Sequence, residues 1–455
     1  MSELRKDSNS NPRVAVIVLA AGKGTRMKSG LPKVLHRIAG KTMLQHVLDS
    51  VETIAPEKVV IVIGPELEAY ETNLRPHAVV VQEERLGTAH AVLRARDALE
   101  GFEGDIVVVF GDTPLLTSDT ICRAQQLLRS PSKSSLAILG FQLDDPSGYG
   151  RIQCDNDGSV QAIVEELDAG IEELRITLCN SGAMAFKSEI LYENFDMIEN
   201  KNAKGEYYLT DLVSILRDSG KKVAMITGQA EELQGINSRA DLAGAEAVMQ
   251  DRLRTRAMNS GVTLVDPGST WLSMDTRFGI DVIVGPNVYF GDSVEVGDGV
   301  EVKAFSHLEG VQLEKGSIVG PFARLRPGTV IGAGAKVGNF VEVKAAQVGV
   351  GSKISHLSYI GDAHIGDSAN IGAGTITCNY DGIEKHQTNV GDGAFIGSNS
   401  SLVAPVSVGD GAMIGAGSVV TDDVDAEELS VTRAVQKHLK GGAKRWRNRR
   451  SKEKS

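Results

Sequence analysis

A glycine-rich turn near the N-terminus has the composition of a phosphate site. Ala20 is followed by Ala-Gly-Lys-Gly-Thr-Arg-Met, and Lys33 adds a cation shortly afterwards. Between a strand and a helix, such a turn aims free backbone N–H groups at phosphate oxygens. Asp112, directly after another aliphatic run, offers the carboxylate oxygens that Mg²⁺ prefers beside phosphate. These residues predict a site for phosphate and Mg²⁺. The alternatives are that Asp112 caps the following segment and that Lys33 has a structural role.

Arg326, Lys344 and His356 form a second set of candidates, suited to an anion beside a general base. Arg326 and Lys344 are eighteen residues apart. If that distance is one coil of a β-helix, the cations stack about 4.8 Å apart, and an anion between them relieves their repulsion. His356 follows, and an imidazole with its ordinary pKa of about 6.5 is the usual base for an amine nucleophile. The alternatives are cations that extend into solvent and a structural histidine.

The first half of the chain alternates aliphatic runs with helical patterns. Continuous runs at 14–19, 59–63, 79–82 and 106–110 predict buried parallel strands. Segments 43–54 and 89–99 between them predict helices. This order predicts a doubly wound, Rossmann-like parallel sheet, in which ligands bind outside the carboxyl ends of the strands. The glycine-rich turn and Asp112 follow such strands, and Gln82 is the last residue of one.

The second half has a different period. Between Ile283 and Val420 an aliphatic residue, usually followed by Gly, returns every six residues, with an interruption at 375–388. This repeat predicts a parallel β-helix, whose short strands each point one aliphatic side chain inward. Segment 240–258 has helix-forming residues and no proline, which predicts a connecting helix.

Composition restricts the class of protein. The net charge of −11 implies no bulk attraction to nucleic acid. The basic segment 440–454 is interpreted as a solvated tail, with a nucleic-acid or membrane contact as the alternative. Four scattered cysteines and a polar N-terminus indicate a cytoplasmic protein without a signal peptide. No apolar run is long enough to span a bilayer, so neither a membrane nor a nucleic acid is expected as a partner.

The motifs together resemble a known family. The segments 19–27 (LAAGKGTRM), 31–33 (LPK), 87–89 (GTA) and 111–114 (GDTP) are similar to those of sugar-nucleotide pyrophosphorylases. Joined to a hexapeptide β-helix, the chain from about 14 to 433 resembles the bacterial bifunctional N-acetylglucosamine-1-phosphate uridyltransferases and glucosamine-1-phosphate N-acetyltransferases. Arg85 departs from the family pattern, which often has Gln in this stretch, the loop that would contact the uracil of the nucleotide.

The resemblance implies roles for residues of the first half. UTP would contact seven residues, with the last three at the uracil: Leu19, Ala20, Gly22, Lys33, Gln82, Gly87 and Thr88. The amino sugar would contact Gly150, Glu165 and Asn180. Mg²⁺ would be held by Asp112 and Asn237. Arg26 and Lys33 would add positive charge where pyrophosphate leaves.

It also implies roles in the β-helix, which it makes left-handed and trimeric, with an acetyl site shared between chains. His356 would be the catalytic base, and Glu342 would orient it. Glucosamine 1-phosphate would contact Arg326, Lys344, Tyr359, Asn370 and Lys385. Acetyl-CoA would contact Ala373, Asn379, Tyr380, Ser398, Ala416 and Arg433.

The predicted organisation follows from both arguments. A polar tail (1–12) precedes a uridyltransferase domain (13–239). A linker helix (240–261) then leads to an acetyltransferase β-helix (262–432) and a basic tail (433–455). The expected product is UDP-N-acetylglucosamine for cell-wall and lipopolysaccharide precursors. Two alternatives stay open at this point: a pyrophosphorylase whose β-helix is only a scaffold, and a binding protein that assembles or regulates.

Overall fold

The computed structural model describes residues 13–129, 134–155 and 158–452. The chain divides into two compact units, Met1–Arg252 and Leu253–Ser455. The first unit contains the aliphatic runs that alternate with helical patterns, and the second contains the hexapeptide repeats. The predicted polar tail at 1–12 lies outside the described residues.

The strands of the first unit include the four predicted aliphatic runs. They are β1 Val14–Ala20, β2 Arg37–Ile38, β3 Lys41–Thr42, β4 Lys58–Ile63, β5 Ala78–Val81, β6 Asp105–Phe110, β7 Leu136–Gln142, β8 Arg151–Cys154, β9 Val160–Val164, β10 Leu178–Lys187 and β11 Val223–Thr227.

The α-helices up to residue 259 are α1 Met43–Thr53, α2 Thr88–Arg94, α3 Ser118–Arg129, α4 Ile171–Leu174, α5 Ser188–Glu193, α6 Leu212–Asp218, α7 Ala230–Leu233 and α8 Arg239–Asn259. Short 3₁₀ helices span Thr25–Met27, Lys33–Leu35, Pro65–Leu74, Asp97–Leu99, Phe195–Met197, Leu209–Asp211 and Pro267–Ser269. Helix α2 is shorter than the predicted 89–99, because the N–H groups of Ala95 and Arg96 bond to carbonyls three residues back.

The sheet of the first unit has the strand order β11-β7-β10-β6-β1-β4-β5. Strand β1 is parallel to β4 and β6, and β4 is parallel to β5. Strand β10 enters antiparallel between β6 and β7. Strand β8 pairs antiparallel with β10 and with β9. The predicted parallel sheet is therefore confirmed, with three antiparallel strands added. Because β1, β4, β5 and β6 end at the same edge, the loops that follow them meet there.

Alternate residues of β1 supply two apolar layers. Ala15, Ile17 and Leu19 pack into one core with α2 and α6, whereas Val14, Val16 and Val18 pack into the other with α1 and α3. All seven residues of β1 are buried. A continuous aliphatic run is what a strand covered on both faces requires.

The strands of the second unit form three stacks, which we call the first, second and third faces. The first face consists of Thr263–Leu264, Ile283–Val284, Glu301–Val302, Ile318–Val319, Lys336–Asn339, Lys353–His356, Asn370–Ile371, Phe395–Ile396, Met413–Ile414 and Leu429–Ser430. The second consists of Tyr289–Phe290, His307–Leu308, Arg324–Leu325, Glu342–Val348, Tyr359–Ile365, Ile376–Cys378, Ser401–Val403 and Val419–Val420. The third consists of Arg277–Phe278, Glu295–Val296, Val311–Leu313, Thr329–Ile331, the ends of Glu342–Val348 and Tyr359–Ile365, Thr388–Val390 and Val406–Val408.

This parallel stacking confirms the predicted β-helix. On the first face, each strand before Leu429–Ser430 buries one aliphatic side chain, as at Val302, Val319 and Val337. Within the predicted interruption at 375–388, Ile376–Cys378 is still a strand of the second face. Ala363 pairs with Thr388, so the inserted loop is the shorter segment 379–387.

Two corners of the β-helix flank its second face. The first edge joins the first and second faces, and it carries an exposed apolar column of Phe305, Phe322, Phe340 and Leu357. The three phenyl rings stack at centroid distances of 5.0 and 5.1 Å. The second edge joins the second and third faces, and it includes Ala345, Asp362 and Asn379.

The basic segment near the C-terminus contains a helix, α9 Gly442–Lys452, which the sequence interpretation as a solvated tail did not predict. Its described side chains are almost all exposed, in agreement with solvation. Among residues 13–129, 134–155 and 158–452, no helix is both long enough and apolar enough to cross a membrane.

Candidate active sites

A cleft of about 290 Å³ lies at the carboxyl ends of β1, β5 and β6. It brings together all seven residues predicted to contact UTP, with one predicted metal ligand. These are Leu19, Ala20, Gly22, Lys33, Gln82, Gly87, Thr88 and Asp112.

Lys33 reaches the cleft because the glycine-rich turn leaves it room. The 3₁₀ helix that begins at Lys33 packs against Gly24, where a Cβ would lie 2.5 Å from the Lys33 Cβ. Gly24 also has φ +60, a conformation that side chains disfavour. Glycine at position 24 therefore allows the turn and Lys33 to approach each other.

Lys33, Asp112 and Asn237 converge at this edge of the sheet. The Lys33 ammonium donates to a carboxylate oxygen of Asp112, and to the amide Oδ1 of Asn237 at 3.1 Å. The Lys33 side chain is buried, and the carbonyl of Asp112 accepts from the Ile236 N–H at 2.8 Å. Two oxygen atoms of the kind that bind hard metal ions, one from Asp112 and one from Asn237, thus face one cation.

Gln82 is held firmly at the end of β5. Its amide nitrogen donates to the Gly87 carbonyl at 3.1 Å and to Nδ1 of His90 at 3.0 Å. The Thr88 hydroxyl accepts from the Leu209 N–H at 2.9 Å. The predicted uracil residues are therefore held by hydrogen bonds to neighbouring backbone groups and to the His90 side chain.

Gly150, Glu165 and Asn180 are neighbours too. The Asn180 N–H donates to the Gly150 carbonyl at 2.9 Å, and a Cβ at Gly150 would lie 3.2 Å from a Glu165 oxygen. Burial raises the pKa of Glu165, which accepts a hydrogen bond from the Thr210 hydroxyl at 3.4 Å. The structure thus groups the three residues predicted to contact the amino sugar.

Two neighbours of that group were missed from the sequence. Thr210 bonds to Glu165, and the buried Tyr208 hydroxyl has no hydrogen-bond partner among the described residues. Burial raises the pKa of Tyr208 to about 12. A buried hydroxyl left unpaired is costly unless a ligand completes it. No spacing signal in the sequence links residues 208–210 to Glu165.

A second cleft of about 430 Å³ lies beside Asn237. Arg26 and Tyr149 line it together with Asn237, whereas the lining of the first cleft does not include Arg26. Burial raises the pKa of Tyr149 to about 12.

In the second unit, Arg326 and Lys344 occupy equivalent places on successive coils. Arg324 pairs with Glu342 and Leu325 with Val343, and the Arg326 N–H donates to the Val343 carbonyl. The predicted spacing of one coil is therefore confirmed. Arg326 also donates to Glu342 at 2.9 Å, which partly offsets its charge.

Lys385 from the inserted loop joins Lys344. The close Lys344 ammonium lowers the pKa of Lys385, whereas Asp362 and Tyr359 act in the opposite direction. The Tyr359 phenol lies over Gly361, which pairs with Lys344. Three predicted phosphate or sugar contacts, Lys344, Tyr359 and Lys385, therefore lie together at the second edge.

His356 lies at the first edge. The second face separates it from Lys344 and Lys385, which lie at the second edge. Its Nδ1 is 2.5 Å from Oδ1 of Asn339, one coil away. Since an amide oxygen only accepts, Nδ1 carries the proton and Nε2 keeps its lone pair. Glu342 was expected to orient His356, but it contacts Arg326 instead. Glu342 begins a strand of the second face, whereas His356 ends a strand of the first face.

A ladder of four predicted acetyl-CoA residues continues down the first edge below His356. The Ala373 carbonyl accepts from the Asn399 N–H, and the Ser398 carbonyl accepts from the Gly417 N–H, both at 2.8 Å. Arg433 donates to the Ala416 carbonyl. Ala373, Ser398, Ala416 and Arg433 thus follow one another on successive coils.

The remaining predicted contacts lie elsewhere on the chain. Asn379 and Tyr380 are at the second edge, where Asn379 donates to the Asp362 carboxylate. The Tyr380 hydroxyl donates to the Gly382 carbonyl at 2.7 Å. Asn370 pairs with Lys353 on the first face. Within one chain, the structure does not bring Asn379 and Tyr380 to the ladder below His356, whereas Asn370 is on the strand that leads to Ala373.

Comparison with known proteins gives the same two parts. Residues 16–145 match the family model of the MobA-like NTP transferase domain, and 387–422 match the bacterial transferase hexapeptide repeats. A bifunctional protein GlmU of Azorhizobium caulinodans is 53% identical over 451 residues, covering 98% of this chain and 100% of that protein. Those of Paramagnetospirillum magneticum and Zymomonas mobilis are 51% and 46% identical, covering 96% of this chain and 97% and 98% of theirs.

The chain belongs to the GlmU family. It is therefore a bifunctional enzyme, a UDP-N-acetylglucosamine pyrophosphorylase and a glucosamine-1-phosphate acetyltransferase. GlmU membership decides against the scaffold and the binding protein that the sequence left open, because both parts of the GlmU relatives are matched over nearly their full length.

Proposed function

We propose that the cleft of the first unit binds UTP through Leu19, Ala20, Gly22, Lys33, Gln82, Gly87 and Thr88. N-acetylglucosamine 1-phosphate would bind beside it, at Gly150, Glu165 and Asn180. The observation that carries this assignment is the convergence of Lys33, Asp112 and Asn237 at the cleft. Buried polar groups that a sugar completes discriminate strongly against ligands that leave them unpaired.

Asp112 and Asn237 would hold Mg²⁺. Their carboxylate and amide oxygens already face an ammonium cation, and oxygen donors suit this ion. When bound, Mg²⁺ would neutralise charge on the leaving pyrophosphate. Lys33 would then turn its ammonium to the nucleotide phosphates. An oxygen of the sugar phosphate attacks the α-phosphorus of UTP, and the bond to pyrophosphate breaks. The protein contributes position and charge to this step.

We propose that His356 accepts the proton of the glucosamine amine through Nε2 as the amine attacks acetyl-CoA. Its Nδ1–H bond to Asn339 fixes the tautomer this requires. Arg326, Lys344, Tyr359, Asn370 and Lys385 would bind glucosamine 1-phosphate. Tyr380 or a backbone N–H would stabilise the oxyanion of the intermediate.

The acetyl site is completed by a second copy of the chain in a homotrimer. Asn379 and Tyr380 lie at the second edge, apart from the ladder of Ala373, Ser398, Ala416 and Arg433 at the first, so a neighbouring copy would bring the two groups together. The column of Phe305, Phe322, Phe340 and Leu357 supports such contact, because each side chain is 45–62% exposed beside His356.

The proposal is tested by adding substrates in sequence to the purified protein. Glucosamine 1-phosphate with acetyl-CoA should release thiol without UTP, and later addition of UTP with Mg²⁺ should release pyrophosphate. Pyrophosphate release that is unchanged by chelation of Mg²⁺ would contradict the metal assignment. We propose that the enzyme works in the cytoplasm, where it would supply cell-wall and lipopolysaccharide precursors.

A further inference from the structure

The side chain of Arg85 is hydrogen-bonded to the backbone of the glycine-rich turn. Its Nε donates a hydrogen bond to the Ala21 carbonyl at 2.5 Å, and its guanidinium also donates to both carboxylate oxygens of Glu66. Ala21 immediately precedes Gly22, which lines the nucleotide cleft with Arg85. Glu66 is outside the lining residues of this cleft.

Contact with the Ala21 carbonyl constrains the Gly22 N–H as well. The two groups belong to one planar peptide unit, so they point in opposite directions and turn together. A guanidinium that fixes the carbonyl therefore fixes the direction of the N–H. Free N–H groups of such a turn are its means of binding phosphate.

The chain makes room for this contact at Gly64, the residue that follows β4. A Cβ at Gly64 would lie 2.4 Å from the Arg85 guanidinium and 2.9 Å from both Glu66 carboxylate oxygens. Gly64, Glu66 and Arg85 thus form one packed unit beside Ala21. Nη2 of Arg85 donates to both oxygens of Glu66 while Nε donates to Ala21, so one planar guanidinium joins the carboxylate to the turn.

We propose that Glu66 and Arg85 form a brace that positions the glycine-rich turn for the nucleotide. Arg85 is then a positioning residue that acts through Ala21, and Glu66 acts through Arg85. This inference rests on the proposed assignment of the cleft to UTP. The competing explanations are that Arg85 contacts the nucleotide directly, and that the pair is an ordinary surface ion pair.

Glu66→Gln separates these explanations, because Glu66 does not line the cleft. We expect it to raise the KM for UTP about threefold to fivefold, the range of a lost partly exposed ion pair. Arg85→Ala should raise the KM about tenfold, since a charged hydrogen bond is lost too. The kcat should change little in both variants, because the brace supports ground state and transition state alike. Arg85→Lys should lie between Arg85→Ala and the unsubstituted protein.

The double variant should be no worse than Arg85→Ala, because both substitutions remove the same brace. Glu57→Gln is the matched control. Glu57 pairs with Arg13 at 2.5 and 2.6 Å at the opposite end of β1, so its loss should leave the KM for UTP unchanged. Acetyl transfer and the thermal unfolding midpoint of each variant report whether the chain is folded.

A raised KM in Arg85→Ala with an unchanged KM in Glu66→Gln would overturn the brace in favour of direct contact. Unchanged values in both variants would reduce the pair to a surface ion pair. If the unsubstituted protein transfers no UMP, the assignment of the cleft to UTP itself fails, and the brace fails with it.

Discussion

His356 and Asn339 are joined across one coil of the β-helix, with Nδ1 of the imidazole 2.5 Å from Oδ1 of the amide. They pair in register on the first face, so the bond is built on the backbone ladder and not on a mobile loop. The amide oxygen selects the tautomer whose Nε2 is free to accept a proton. Asn339 therefore orients the proposed base.

Asn339→Ala should lower the kcat of acetyl transfer about tenfold to a hundredfold, because a displaced general base loses much of its advantage. Asn339→Asp should retain the orientation but shift the acidic limb of the pH–rate profile upward, because a carboxylate favours the protonated imidazole. Steady-state rates of thiol release between pH 5 and 9 measure both effects. An unchanged kcat in Asn339→Ala would contradict the role.

His356→Ala and Asp112→Asn should have opposite effects on the two reactions. The first should lower acetyl transfer at least about a hundredfold and leave uridyl transfer intact, because His356 lies in the second unit and the cleft proposed for UTP in the first. The second should lower uridyl transfer about a hundredfold or more and leave acetyl transfer intact. Both activities are measured on the same preparation of each variant. Equal loss of both reactions in either variant would contradict the two-site assignment.

The sequence predicted the architecture well because both halves carry a strong period. The continuous aliphatic run of β1 and the hexapeptide repeat each permit few folds, and both elements are found where expected. The stacking of Arg326 over Lys344 was predicted from the hexapeptide repeat, because their spacing of eighteen residues is one coil. Asn237 is different, since it is far in sequence from Lys33 and Asp112, and only a family resemblance could connect them.

Asn339 was missed because the coils vary in length. Counting eighteen residues back from His356 reaches Gly338, a residue with no side chain to offer. The coil is one residue shorter, so Asn339 is the actual partner. Another coil is longer than eighteen residues, because the inserted loop lies between the paired residues Ala363 and Thr388. Register can therefore be predicted only where the repeat stays regular.

Lys385 should lose its proton at a lower pH than an ordinary lysine, because Lys344 lowers its pKa. Affinity for glucosamine 1-phosphate should then weaken as the pH rises through the lowered pKa. Lys344→Met should raise the pKa of Lys385 towards its ordinary value. NMR titration of ¹³C-dimethylated lysines in the full chain measures this change, with the exposed Lys336→Met as control. A Lys385 titration that is the same in both variants would show that Lys344 is not the cause.

Glu165 should make the first unit less stable at neutral pH than its uncharged counterpart. Burial raises its pKa in the folded state, so its contribution to stability is present below the unfolded pKa and is lost as the pH rises through the folded pKa. Glu165→Gln should therefore unfold at a higher temperature than the unsubstituted protein at pH 7, and the difference should vanish near pH 4. The KM for N-acetylglucosamine 1-phosphate should rise in the same variant, because the proposed sugar contact is altered. Calorimetry across this pH range, with the exposed Glu68→Gln as control, measures the stability difference. A lower unfolding temperature for Glu165→Gln at pH 7 would mean that the carboxylate stabilises the fold, contrary to the direction of its pKa.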